Sequence, residues 1–458
     1  MECVWQKNDE TLHEDFSWLM KERVEFEYLL KAVSLLASHY GSMFCSILFT
    51  FWLARLLDPA DFGRLAIGVF SLDIFNALTD WGWDQAILHE NNVELSVVYS
   101  THFFIRFILG SIPLLVVVAM FFFNTALFSS SIHWIAFFLA IAFWVEKISL
   151  TYKTILEKEY KLHHLAWLEI GALIISFVCA IISVYLGFGR FALVVQRVFE
   201  KIIILCGYFV VSTWKYGTEV DVALIKKWIH SFGIATLCGG LIGLFLYDFM
   251  ATFIGLTKGT TQGGLYARSF KMATLPLIFT AVCGRLTTPL YAKYVGNLAE
   301  IKKTFLTAQF LKLCIILPIQ LMLIFGAFWW IPIFLGKQWE GAVFLYQLLS
   351  LYGFFRSFYD DVPAVFLYGL RQPWILFQQH LVQGCTLFVS TIILRFFVEG
   401  AILGALVMGV GMVVGVIVLW VRVFSALDVT VADIKNALDG LVVFVREIIQ
   451  KIVKRRVV

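Results

Sequence analysis

The chain has 458 residues, 60% of them hydrophobic and only 15% charged, with a mean hydropathy of +0.84 and a formal net charge of +4. That balance is too apolar for a soluble protein of this length. With no Lys/Arg-rich tract before the last eight residues it also gives no support for nucleic acid as a partner. The apolar runs exceed the roughly 20 residues that cross a bilayer and lack the short alternation of a membrane barrel, so the expected class is an all-α polytopic membrane protein.

Residues 1–31 carry eight acidic side chains against four basic ones. This is the wrong sign for the leading region of a cleavable signal peptide, so the first span is expected to act as the targeting signal. Apolar runs and their polar punctuation then predict about twelve transmembrane helices, at 33–57, 64–88, 99–123, 132–151, 165–187, 190–213, 231–256, 267–291, 305–328, 341–368, 374–397 and 401–424. Trp329–Leu335, where Pro332 interrupts the apolar run, is assigned to a loop. Pro363 in the tenth span and Pro276 and Pro289 in the eighth each remove a backbone donor and are expected to bend their helices.

Between the first two spans lies Leu53-Ala54-Arg55-Leu56-Leu57-Asp58-Pro59-Ala60-Asp61-Phe62-Gly63-Arg64-Leu65-Ala66-Ile67-Gly68, a tight polar turn joining two apolar runs. About 200 positions later Gly264, Tyr266 and Ala267 stand where Gly63, Leu65 and Ala66 stood, which suggests two fused halves in the manner of transporters. The expected organisation is a cytoplasmic N-terminal segment (1–32), an N-lobe of six spans (33–213), a cytoplasmic linker (214–230), a C-lobe of six spans (231–424) and a cytoplasmic basic tail (425–458). The two six-helix lobes are pseudo-symmetric.

Lys and Arg set the orientation. With the N-terminus inside, the inner loops hold Lys153, Lys158, Lys161, Lys215, Lys226, Lys227, Lys293, Lys302, Lys303 and Arg371, and the outer loops hold fewer. The basic tail then places both termini in the cytoplasm. Residues 431–456 read either as an amphipathic helix on the anionic inner leaflet or as a solvated tail. The eight cysteines lie singly, almost all in apolar runs, so no disulfide, metal site or cofactor is expected.

An ionisable group at mid-membrane costs about 2.5–3.5 kcal/mol on insertion scales and needs a partner or a wet cavity. Asp73, Arg106, Glu169, Asp248, Arg285, Arg356, Asp360 and Asp361 all fall inside predicted spans. Asp73 and Asp248 have no opposite charge four residues away and must pair with another helix or titrate. Arg356 and Asp360, spaced i,i+4, either neutralise each other or line a cavity. Asp73, Asp248, Asp360 and Asp361 are the candidates for ion coupling. Arg55, Arg64 and Arg268 sit at span ends, where snorkelling to the interface is the ordinary explanation.

The turn LARLLDPADFGRLAIG, followed by Leu78-Thr79-Asp80-Trp81-Gly82 and Gln85-Ala86-Ile87-Leu88, resembles the opening of bacterial polysaccharide (O-antigen type) flippases. These form the polysaccharide transporter family of the multidrug/oligosaccharidyl-lipid/polysaccharide exporter superfamily. Asp58 stands where that family usually has Gly, and Trp83 with Asp84 replace smaller residues. Asp248 within Leu246-Tyr247-Asp248-Phe249-Met250, and the run Gly263 to Pro276, resemble the family's seventh span and following turn.

The resemblance covers roughly residues 35–425. It implies lobes around a central cavity and movement of an undecaprenyl-pyrophosphate-linked oligosaccharide across the bacterial inner membrane for surface polysaccharide synthesis. It also implies the bilayer as surroundings, and polysaccharide polymerase and chain-length machinery as partners. An anionic pyrophosphate headgroup calls for guanidinium groups, which grip phosphate oxygens bidentately. The expected substrate-binding residues are therefore Arg55, Arg285, Arg356 and Arg106, with Arg55 and Arg285 favoured because the superfamily lines its cavity with the first, second, seventh and eighth spans. The alternative is an ion-coupled multidrug antiporter of the same superfamily, which would carry a more acidic cavity. An enzyme is not expected, because no loop exceeds about 20 residues and none holds an Asp-x-Asp. The peptidoglycan lipid II flippases generally have two more spans.

Overall fold

The computed structural model describes residue 41 and residues 45–90, 94–122, 130–159, 161–215, 217–372 and 374–437, which form helices and turns only. The predicted first span is described from Cys45. The N-terminal segment 1–32 and most of the tail helix 431–456 lie outside the described residues.

The helices are α1 (Cys45–Leu56), α2 (Pro59–Thr79), α3 (Trp83–His89), α4 (Leu95–Phe122), α5 (Ser130–Lys158), α6 (Leu162–Tyr185), α7 (Ala192–Val211), α8 (Val222–Trp228) and α9 (Ile234–Gly243). They continue with α10 (Phe249–Lys258), α11 (Thr260–Ala273), α12 (Leu277–Lys293), α13 (Leu298–Leu335), α14 (Ala342–Ser357), α15 (Val362–Ala364), α16 (Trp374–Leu394) and α17 (Gly400–Ala426). Single π-turns occupy Ile229–Gly233, Leu244–Asp248 and Val365–Gly369.

Six of these helices are long and apolar enough to cross a bilayer, and eight do so if each bent pair counts as one span. This is fewer than the twelve predicted, for local reasons. Only twelve residues of α1 are described; α7 carries Arg197, Glu200 and Lys201; α16 carries Gln378, Gln379, His380 and Gln383; and α14 stops at a break.

The breaks follow from chemistry. Pro276 separates α11 from α12 at an angle of 45°, as expected of a residue that cannot donate to the preceding turn. Pro363 stands at the start of α15, where its missing N–H costs nothing, and the chain before it unwinds over 358–361. Pro289 leaves α12 uninterrupted. The predicted second span is also broken: after Thr79 the chain turns through Asp80 and Trp81, and Gly82 takes a left-handed φ of 70° to start α3. Trp329–Leu335 is helical, not a loop. It ends α13, which tolerates Pro318 and Pro332 internally and stops at Gly336 with φ 104°.

The chain divides into two compact units, Met1–Leu56 with Ser71–Gly240, and Leu57–Phe70 with Leu241–Val458. In the first, α4, α5, α6 and α7 pack as neighbours. One core joins Trp83, Ile87, Val98, Tyr99, Ile155, Leu224 and Trp228; another joins Tyr152, Leu156, Leu165, Ala172, Ile204 and Tyr208. Lys158 donates to the carbonyls of Ile87 and Glu90, closing the end of α3 with a cation where helix carbonyls lack partners. Asp221 caps α8 by accepting from the Ala223 amide at 2.7 Å.

In the second unit the opening turn of α2 lies against its own echo. A Cβ on Gly63 would sit 1.8 Å from the Thr260 carbonyl oxygen, and one on Gly264 would sit 1.8 Å from that of Pro59. Gly255 and Gly263 are apposed in the same way. Backbones this close require glycine, and small-residue seams of this kind replace the hydrophobic effect as the packing force between helices in lipid. The seam accounts for the grouping of Leu57–Phe70 with the second unit.

Candidate functional site

Each unit places a charged cluster at a helix break, and in each the carboxylates come from the break and the cation from an intact helix beside it.

In the first unit Asp80 lies in the break after α2 and Asp84 in the first turn of α3. Arg106, one turn beyond His102 on α4, reaches both: its Nη2 is 2.7 Å from Asp84 Oδ1 and 3.4 Å from Asp80 Oδ1. His102 Nε2 is 3.1 Å from the same Asp84 oxygen, and its Nδ1 is 2.9 Å from Thr151 Oγ1 on α5. Beside them Lys147 donates to Asn76 Oδ1 at 2.5 Å. Arg106, His102 and Lys147 are buried, while the Asp80 and Asp84 side chains remain 34% and 31% exposed. Arg106 is thus covered by the carboxylates it holds and is committed to holding the α2–α3 break against α4.

In the second unit α14 ends at Ser357, and the unwound residues Phe358–Asp361 precede α15. Lys312 on α13, fully buried, places Nζ 2.6 Å from Asp361 Oδ1 and donates to the Ser357 carbonyl at 2.8 Å. Gln309, one turn earlier, donates through Nε2 to both Asp361 oxygens at 3.4 Å. Thr280 on α12 donates to the Ser357 carbonyl at 3.3 Å and Trp420 on α17 to that of Phe358 at 2.9 Å. Side chains from three helices therefore satisfy the backbone groups that the break frees, as membrane burial requires. The neighbouring Arg356 bonds Asp360 through Nε at 3.1 Å and Tyr352 through Nη1 at 3.2 Å.

Among the residues singled out from the sequence, Arg356 and Asp360 form the i,i+4 pair, and it is partly exposed. Asp361 does not share that pair; it is engaged with Lys312. Asp248 closes the π-turn Leu244–Asp248, is exposed, and lies within the electrostatic reach of Arg356. Arg285 is exposed on α12 and makes no ion pair among the described residues. Arg55 is exposed at the end of α1, and Asp73 is half-buried on α2; each interacts with neighbours. Arg64 pairs with Asp61 at 2.6 Å, and Arg268 lies 3.8 Å over the Phe62 ring. No His/Cys/Asp/Glu group able to hold a metal occurs among the described residues.

Lys312, Gln309, His102, Lys147 and Asp84 were not among the predicted site residues. Lys312 was legible as a lysine inside an apolar run, but a search for guanidinium groups passes over it. Asp84 was legible as a departure from the pattern the opening turn otherwise follows.

The fold is that of known transporters. It is similar to a multidrug resistance transporter of the MATE family and MOP superfamily, solved in an inward-facing conformation (TM-score 0.68, 13% identity, 84% of this chain and 94% of that chain). It is also similar to the lipid II flippase MurJ in an inward closed conformation (TM-score 0.67, 14% identity, 91% and 92%). In sequence the chain is 20% identical over 326 residues to the lipopolysaccharide biosynthesis protein WzxC of Escherichia coli (strain K12). That match takes in 70% of this chain and 65% of WzxC, so it spans just under two thirds of the relative's length. The family described as "Polysaccharide biosynthesis protein" matches residues 52–344, more than half of the sequence and inclusive of both apposed turns. The chain belongs to the polysaccharide biosynthesis protein family.

Proposed function

We propose that the protein is a flippase that moves a polyprenyl-pyrophosphate-linked oligosaccharide from the cytoplasmic to the outer face of the bacterial inner membrane by alternating access. In this reading twelve spans form two six-helix lobes around a central cavity, and both termini are cytoplasmic. The sugar-pyrophosphate headgroup crosses in the cavity while the prenyl tail stays in lipid, and no covalent step is needed. Membership of the polysaccharide biosynthesis family carries this reading, because the fold alone is equally similar to a drug transporter and to a lipid-linked sugar flippase.

Arg285 is the first candidate for the headgroup. It is an exposed guanidinium on an apolar helix, with no carboxylate bound to it among the described residues, and so is available to phosphate oxygens. Arg356 is the second, since its pairing with Asp360 is open to exchange for an anionic ligand. Arg55 is kept as a third at the end of α1. Arg106, sealed beneath two carboxylates, serves to hold the fold rather than the cargo. Asp248, Asp360 and Asp73 remain the candidates for a coupling ion, with Asp361 set apart by its bond to Lys312.

The test is deletion in the native host followed by extraction of lipid-linked oligosaccharides and staining of surface polymer. Completed repeat units should accumulate on the cytoplasmic side while surface polymer is lost. Intact polymer together with new sensitivity to cationic drugs would instead favour the multidrug antiporter.

A further inference from the structure

The environment of the Lys312 ammonium is that of a coordinated metal cation. Its nearest neighbours are oxygens: a carboxylate of Asp361 at 2.6 Å and the carbonyl of Ser357 at 2.8 Å. The carbonyl ends α14, so the negative end of a helix dipole points at the charge. On the same carboxylate Gln309 donates through Nε2, and its own Oε1 is buried without a hydrogen-bond partner among the described residues. The Phe358 ring lies 5.4 Å from Nζ and adds a π face. A carboxylate and a helix-terminal carbonyl at a break are hard oxygen ligands of the kind that alkali and alkaline-earth cations take.

We propose that this is a monovalent-cation site whose permanent occupant is the tethered ammonium of Lys312. The lysine supplies in covalent form the charge that Na⁺ would otherwise supply, so the broken helix is held shut without a bound ion. Removing the side chain without removing its oxygens should open the site to Na⁺. The inference concerns a binding property of the folded chain and stands whichever cargo is carried.

The decisive experiment measures the melting midpoint of the purified full-length protein in choline, K⁺ and Na⁺ chloride at equal ionic strength. The native protein sets the baseline difference among the three salts, and the Na⁺ effects below are those in excess of it. Lys312→Ala should be destabilised in choline and regain a saturable rise of roughly 2–4 °C in Na⁺, the size expected when a ligand binds only the folded state. Lys312→Ala/Asp361→Asn should lose that rise, and Lys312→Met, whose side chain fills the space, should never show it. A folded Lys312→Ala protein with no Na⁺ rise beyond that baseline overturns the proposal. Should Lys312→Ala fail to accumulate, Lys312→Ser, which contributes one more oxygen, takes its place. Failure of both in cells grown at high Na⁺ also counts against it, since the ion should then stand in for the ammonium.

Discussion

The charged clusters of the two units answer the same problem with opposite exposure. In the first unit the carboxylates of Asp80 and Asp84 keep about a third of their surface open, and only their cation is sealed. In the second both partners are sealed, the Asp361 side chain being 2% and that of Lys312 0% exposed. A half-open pair keeps part of its hydration. A sealed pair has surrendered it and depends on every remaining bond. The difference assigns the two helix breaks different duties: the first is a polar joint at the surface of its unit, and the second is a locked joint in the interior.

The largest expected effect tests the lock. Asp361→Ala leaves a buried ammonium without its carboxylate and should cost about 3–5 kcal/mol in thermal or denaturant unfolding, whereas the apolar pair Lys312→Met/Asp361→Leu should recover most of that loss. If the single and double variants are equally unstable, the two charges do not form the sealed unit described here.

The glycine seam comes next. Gly264→Ala forces a methyl into the Pro59 carbonyl and should cost roughly 1–3 kcal/mol or more, with Gly63→Ala similar and the double variant less than additive, because one displacement relieves both contacts. Unfolding midpoints of the three variants check it.

The open cluster should respond more mildly and unequally. Arg106→Ala removes the partner of two carboxylates that water already reaches, whereas Asp84→Ala takes the nearer carboxylate from a buried guanidinium and an imidazole, leaving them Asp80 and Thr151. Asp84→Ala should therefore be the worse of the two, by about 1 kcal/mol in thermal unfolding. The reverse order would mean that Asp80 and Asp84 are the groups that burial penalises.

The smallest effect lies beyond the last candidate span, where the chain after α17 folds back on α13. Asp433 accepts from Lys302 at 2.9 Å and from the Thr430 amide and hydroxyl at 2.8 Å each. The bond from Lys302, then those from Thr430, hold its carboxyl down at about 2. A depressed carboxylate contributes its stability above its unfolded value, near 4, and loses it as pH falls through the folded value. The anchor should thus persist through mildly acid solution and loosen only toward pH 2. Limited acid proteolysis of this segment, in native protein and in Asp433→Asn, measures it.

Much of this architecture was legible in the chain. Composition and the length of the apolar runs announced a helical membrane protein, and the turn around Gly63 with its echo at Gly264 marked two segments that lie against each other. Pro276 and Pro363 marked two of the breaks. The break at Asp80–Gly82 was hidden because Trp81 and Trp83 keep the run apolar, and the helicity of Trp329–Leu335 was hidden because a proline near a helix end is tolerated when its neighbours carry the ladder. The charged residues were visible one by one, but their partners were not. Asp361 and Lys312 are 49 positions apart, Asp84 and His102 18 apart, and no local spacing links them. Sequence spacing paired Arg356 with Asp360 and gave Asp361 no partner, which Lys312 on α13 supplies across the unwound residues before Pro363.

The most direct test of the proposed flippase uses the purified protein reconstituted into vesicles carrying a fluorescent polyprenyl-pyrophosphate oligosaccharide, with transfer between leaflets followed by a membrane-impermeant quencher. The native protein should move the labelled lipid, and Arg285→Ala should lose most of that activity while its melting temperature stays unchanged, as befits an exposed side chain without a partner among the described residues. Vesicles in which the native protein leaves the lipid where it was added, yet exchanges cationic drugs for ions, would contradict the reading outright.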